Sequence, residues 1–353
     1  MRGELVFYPE LELLYRDAEN SSERQIEDIE YFIDSKVDLL IVSPNETDPI
    51  TPVVEKAFQS GIPVIIVDRK INSSMYSAYI GANNFEIGKL AGNYIADLLN
   101  GKGSLVEIWG LRGSSPAVER HRGLWEVLGN YPDIKMVGEI DGKWEVDTSK
   151  VQVRRLIKKF PPFDLVFAHN DVMAYGAYTV CLQMLPDNDI KFIGIDALPG
   201  PIAGTQFVYD NILAASFLYP TGGEESIRIA NQILKGLPYE KENTLLSTVI
   251  DSKNVRVMRL QYDKLLSQQN DIIRQQKMIN EQIDTYYSQR ILIFILLASL
   301  IIMIVAGAIA AYNWREKNEI NKRLEAKRNE ILEQRNTIAA IAEKAEVATQ
   351  EKL

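Results

Sequence analysis

The chemically capable residues of this chain sit where short apolar runs end. Asp68 and Arg69 follow PVIIV, and the stretch from Trp109 to Ser115 follows SLVEI. Asp141 to Trp144 follow the run 134–140, and Asn170 and Asp171 follow DLVFAH. Asp196 closes KFIGID, Tyr219 follows the run 212–218, and Ser43-Pro44-Asn45 end VDLLIVS. Arg120 lies one helical turn past Pro116, close enough to reach back to the preceding strand end. Carboxylates, amides, guanidinium groups and aromatics together suit a neutral, polyhydroxylated ligand. Asp and Asn exchange hydrogen bonds with hydroxyl pairs, Arg donates in a fork, and Trp or Tyr covers the apolar face of a ring. An Asp or Asn after a strand also serves as an N-cap for the next helix. The weight therefore rests on several such residues converging.

The runs that carry these residues are apolar throughout rather than alternating, and helical stretches near 53–60, 86–100 and 116–130 separate them. Such strands need cover on both faces, which means parallel sheets between helices. The repetition is too long for one sheet of usual width, so an α/β fold of two lobes is expected over residues 1–260. Lobe 1 is expected at about 1–101 and 221–248, and lobe 2 at about 102–220 and 249–260. In sheets of this kind ligands bind outside the carboxyl ends of the strands.

Beyond residue 260 the pattern changes. Leu265, Ile272, Ile279 and Tyr286 recur every seven residues, with Leu266, Ile273 and Tyr287 beside them and Ile283 on a second seam. This predicts a helical stalk over 261–290 that pairs with a second copy. Residues 291–312 carry no charge, and about 22 residues of helix span roughly 33 Å, enough for a hydrocarbon core of about 30 Å. Tyr286, Tyr287, Tyr312 and Trp314 flank the run as interfacial aromatics do. Arg315, Lys317, Lys322, Arg323, Lys327 and Arg328 follow it, whereas only Lys277 and Arg290 lie close before it. The positive-inside rule then sets residues 1–290 outside and 313–353 in the cytoplasm. There Leu324, Ile331, Ile338 and Ala345 restore the seven-residue spacing, with Ile320 and Ile341 adjoining, and a homodimeric coiled coil is expected.

A net charge of −9 argues against nucleic acid as partner, because phosphate binding needs a basic face. The single cysteine, Cys181, excludes an internal disulfide and reads as core filler. The two histidines, His121 and His169, lack a second His or Cys at metal spacing, and no metal or cofactor is expected. Gly101-Lys102-Gly103-Ser104 lacks the frame of a phosphate loop. An acid–base pair of Asp68 and Asp196 has no nucleophile or metal cluster to serve, so the chain is not read as an enzyme.

Several motifs in order carry a resemblance. Asp68-Arg69 after PVIIV, GSSPAVERHRG (113–123), FAHNDVMAYGA (167–177) and FIGIDALP (192–199) resemble the ribose-binding-protein type of periplasmic binding protein, over roughly 5–258. The resemblance implies two lobes closing on a sugar. Asp68, Arg69, Arg120, Asn170 and Asp196 stand at positions that hydrogen-bond sugar hydroxyls in that family, and Trp144 matches an aromatic that stacks on the ring. Ser115, from its place after a strand end, is also expected to touch the ligand. Tyr219 stands where many members carry Gln. With its span and coil, ending ATQEKL, the chain resembles the sensor half of hybrid two-component regulators of polysaccharide use, which implies sensing of a monosaccharide, fructose first. A tethered sugar-binding component of a transport system is the alternative. Neither histidine lies on the cytoplasmic side, so the output domain is expected outside this chain. The family begins with a strand that has no counterpart here. Residues 2–8 read as its first helix and 11–16 as its second strand, and a missing N-terminal strand and signal segment are expected.

Overall fold

The computed structural model describes residues 1–160 and 162–350. The end of the expected coil, 351–353, lies outside them. The elements in chain order are α1 (Arg2–Leu5), α2 (Ser22–Asp34), β1 (Leu40–Val42), α3 (Thr47–Gln59), β2 (Val64–Val67), β3 (Ala78–Ala82) and α4 (Asn84–Leu98). Next come β4 (Gly103–Trp109), α5 (Ser115–Leu128), β5 (Ile134–Asp141), α6 (Val146–Ile157), β6 (Leu165–Ala168), α7 (Asp171–Met184) and β7 (Lys191–Asp196). The chain ends with α8 (Gly204–Tyr209), β8 (Ala215–Leu218), α9 (Gly223–Leu234), β9 (Glu242–Leu245), β10 (Val249–Asp251) and α10 (Val255–Gln350). The first unit runs from Met1 to Leu265 and the second from Leu266 onward.

The first unit holds two sheets, ordered β1-β2-β3-β9 and β10-β8-β7-β6-β4-β5. Every pairing is parallel except β10 with β8. The central strands are buried on both faces, which is why their sequences are apolar without alternation: all of β2 and all of β6 are buried. The chain passes between the sheets three times, after β3, after β8 and after β9. Among the described residues three helices start on side-chain caps. Ser21 Oγ accepts from the Arg24 amide, Asn83 Oδ1 from Glu86, and Asn170 Oδ1 from Met173.

The sequence expectation fails at the N-terminus. Residues 11–16 form no strand. Among the described residues β1 is the edge of its sheet with β2 as its neighbour, and the segment 11–16 does not pair with it. It lies against α2 instead, where Arg16 pairs with Asp28 at 2.9 Å and stacks 3.8 Å from the centre of the Tyr31 ring. The first helix is shorter than expected, Arg2–Leu5. Strands β3 and β9 go beyond the sequence reading, and the reason is composition. The small residues of AYIGA and the polar ENTL give neither an apolar run nor an alternation.

Helix α4 packs its apolar face (Ile87, Ala91, Ile95) into the core under the six-stranded sheet, with Leu124 and Leu128 of α5. The two helices meet backbone to backbone at glycines. A Cβ on Gly123 would lie 2.0 Å from the Phe85 carbonyl oxygen, and one on Gly88 would lie 2.2 Å from that of Arg120. This close approach fixes where α5 presents Arg120.

Helix α10 continues without a break through the stretches read separately as stalk, span and coil. It contains a window of mean hydropathy 3.1 with none of it buried, and is long and apolar enough to cross a membrane.

Because the atoms in the way at Gly123 are backbone, Gly123→Ala cannot be absorbed by a rotamer change. Overpacking of this kind costs about 1–3 kcal/mol. Thermal melts of the variant are expected to show a midpoint several degrees lower, and an unchanged midpoint would mean that α4 and α5 separate without penalty.

Candidate ligand-binding cleft

Arg120 is buried on α5, with 2% of its surface exposed. Its Nε donates to Asn84 Oδ1 at 2.9 Å, and one Nη donates to the backbone carbonyl of His169. The guanidinium lies 4.6 Å from the centre of the Tyr219 ring and 5.4 Å from that of Trp144. Asn84 Nδ2 donates to the Tyr219 hydroxyl at 3.3 Å, and that hydroxyl donates to Asp68 Oδ1. A single chain of hydrogen bonds thus joins Arg120, Asn84, Tyr219 and Asp68 across the two sheets. It holds a carboxylate and a guanidinium facing one space.

Asp68 follows β2, Asp196 ends β7, and Trp144 follows β5. All three have positive φ, at 68°, 128° and 66°. Non-glycine residues in such conformations cost about 1–3 kcal/mol each and persist where the surroundings enforce them. Asp68 is held by its amide donating to Ile80 O at 2.8 Å and its carbonyl accepting from the Tyr79 hydroxyl at 3.1 Å. The bend after Asp196 is held by Asp171, whose buried carboxylate accepts from the Ala197 amide and the Ser216 hydroxyl, both at 2.7 Å. Trp144 lies flat on Gly110, where a Cβ would sit 2.2 Å from its ring. Its Nε1 is buried and has no partner among the described residues.

The remaining expected site residues divide. Arg69 donates to Asn45 O at 2.7 Å and lies 5.8 Å from the Trp144 ring, near its neighbour Asp68 at 3.7 Å. Asn170 uses both ends of its amide internally: Oδ1 caps α7, and Nδ2 donates to Trp144 O at 3.3 Å. Ser115 Oγ accepts from the Lys70 amide at 2.7 Å, and Lys70 Nζ reaches Glu119 at 2.8 Å. These last contacts join the β2 end to the start of α5 and latch the two sides of the cleft. Asn84 is a supporting residue that sequence reasoning missed, and Asp171 was named at its strand end but not among the expected ligand contacts. Asn84 hides as the second Asn of a pair whose first member, Asn83, is the helix cap.

Burial pushes the Asp196 carboxyl up to about 7, against the pull of Arg120 and with the repulsion of Asp68 adding to it. Burial raises the Asp171 carboxyl as well, and Asp196 adds to the effect. An unfolded Asp titrates near 3.9. Between about 4 and 7 the folded chain keeps a proton on Asp196 that the unfolded chain has lost, so stability falls as pH rises through that window. Asp196→Asn should therefore raise the melting midpoint of the ligand-free chain at pH 8 and have little effect near pH 4. A variant no more stable than the parent at pH 8 would show that Asp196 is not held against its own charge.

The sequence profile of the periplasmic binding protein domain matches residues 8–238. Among solved structures, the fructose-binding periplasmic domain of a hybrid two-component system is 43% identical, with a TM-score of 0.76, covering 78% of this chain and 92% of that one. The xylitol-binding protein of Mycolicibacterium smegmatis is 26% identical over 70% of each chain. The ribose import binding protein RbsB of Bacillus subtilis is 27% identical over 65% of this chain and 74% of its own length. The two-sheet architecture, the strand-end cleft and a profile match over most of the chain agree: the chain belongs to the periplasmic binding protein family.

Proposed function

We propose that the first unit binds a monosaccharide, fructose foremost, and that the chain signals its presence across the inner membrane. The observation that carries this reading is the convergence of Asp68, Arg69, Arg120, Trp144, Asp196 and Tyr219 on one floor. In this reading Asp68 and Asp196 accept from hydroxyl pairs, and Arg120 and Arg69 donate. Trp144 covers a ring face and offers its Nε1 hydrogen. Asn170 holds Trp144 in place, and Ser115 closes the latch. The 43% identity to a fructose-binding sensor domain supports both the ligand and the sensing role.

The span is proposed at 291–312, with residues 1–290 periplasmic and the remainder cytoplasmic. The heptad positions on both sides support a homodimer. Ile272, Ile279, Ile331 and Ile338 are 45–66% exposed along α10, a seam that a second helix would cover. Cleft closure would then shift a helix pair that is continuous into the cytoplasm, and a coupling of about 1–3 kcal/mol is enough for such signalling. Transport is the second reading, supported by relatives that are import binding proteins. A tether for transport has no use for an apolar seam beyond the span.

Titration of the full chain in detergent with fructose, ribose, arabinose and glucose is expected to raise its melting midpoint with one sugar, and Arg120→Ala to abolish the rise. No stabilising sugar would sink the proposal. Cysteine substitution at Ile272 or Ile279, in a Cys181→Ser background and native membranes, should give disulfide-linked dimers on oxidation. Monomer alone would remove the paired stalk.

A further inference from the structure

Outside the cleft, three potential metal ligands converge from three elements. Glu107 of β4 and Glu139 of β5 are direct partners in the parallel ladder, and His121 of α5 lies over them. One oxygen of each carboxylate and a His121 ring nitrogen all lie within 4.8 Å of one another. Two carboxylates opposite each other on adjacent strands repel, and Glu107 is fully buried. Burial alone would raise the Glu107 carboxyl, but hydrogen bonds from His121 and His169 outweigh it and keep the group below its usual range.

The surroundings orient this trio. His169 is buried, and its Nδ1 accepts from the Gly110 amide at 3.3 Å. Its Nε2 therefore carries the hydrogen and donates to Glu107 Oε1 at 2.8 Å. The other oxygen, Oε2, faces His121 Nδ1 at 2.9 Å. Trp109 Nε1 donates to Glu139 Oε2 at 3.1 Å, and the Trp109 ring lies 4.2 Å from the His121 ring. Each carboxylate is thus gripped at one oxygen by an N–H from outside the trio. Ligating carboxylates are held in the same way in metal sites. The side chains of His121 and Glu139 are 24% and 37% exposed, which opens the trio to solvent, and Arg112 Nη2 stands 3.8 Å from Glu139.

We propose that Glu107, His121 and Glu139 bind a divalent transition-metal ion, with Zn²⁺ as the representative case. The ion takes the place of the hydrogen between His121 Nδ1 and Glu107 Oε2, and the imidazole binds as its other tautomer, with its one ring hydrogen moved to Nε2. One imidazole and two carboxylates suit Zn²⁺, Co²⁺ or Ni²⁺ better than Mg²⁺ or Ca²⁺, which favour all-oxygen sets. Three protein ligands leave a fourth position open to solvent.

The chain has two histidines, and His169 is committed to Glu107 and Gly110, so a tag-free preparation makes the test clean. Calorimetric titration of the full chain in detergent with Zn²⁺ should give one site, Co²⁺ should give visible absorption of a low-coordinate ion, and Mg²⁺ should give no heat. His121→Ala and Glu139→Gln should each weaken Zn²⁺ binding by at least about 10-fold, the lower end of what loss of a supporting residue alone costs. Glu139 is partly exposed, so its variant keeps the test decisive should His121→Ala fold poorly. Absence of Zn²⁺ binding, or binding left unchanged in Glu139→Gln, would overturn the proposal.

Discussion

Burying a guanidinium costs several kcal/mol unless its N–H groups find acceptors, and Arg120 is buried almost completely. The rest of the cleft is arranged around that constraint. Asn84 and the carbonyl of His169 take two of its hydrogens, and the rings of Tyr219 and Trp144 stand within cation–π range. Each of these partners has a further task. Asn84 passes a hydrogen bond to Tyr219, which fixes Asp68, and His169 is locked by Glu107 and Gly110. Satisfying one buried cation thereby sets the positions of most polar groups that face the cleft.

The same floor stores energy. Three of its residues occupy positive-φ conformations, and Asp196 carries a carboxyl that burial holds close to neutral. Supports outside the cleft maintain this state: Asp171 under the bend at Asp196, Gly110 under Trp144, and the α4–α5 glycine contacts beneath Arg120. A site made of groups held against their preferences gains most when a ligand supplies the missing hydrogen bonds, and this agrees with a polyhydroxylated occupant.

Legibility in the sequence followed burial. Strands such as VIIV and LVFA announce themselves because both faces are covered, and the residues just after them, Asp68 and His169, join the hydrogen-bond network around Arg120. AYIGA and ENTL gave no such signal, and the extended segment 11–16 was misread because strand identity depends on a neighbour that local pattern cannot supply. Within the site, residue type foretold location better than partner. Asn170 and Ser115 have polar atoms engaged by Trp144, Met173 and Lys70, partners that residue type did not announce. The trio of Glu107, His121 and Glu139 escaped sequence reading because no two members are close in the chain, and the strand pairing alone brings the carboxylates together.

The proposed sugar enters the space bounded by Trp144, Arg120 and Asp68. Trp144 reports on that space directly, since its ring lies within 6 Å of both Arg69 and Arg120. Intrinsic tryptophan fluorescence of the full chain, titrated with fructose, is the most direct measurement. The account predicts a saturable change in emission that disappears in Trp144→Phe. A saturable change that persists undiminished in Trp144→Phe, or emission that stays constant up to millimolar fructose, would contradict it.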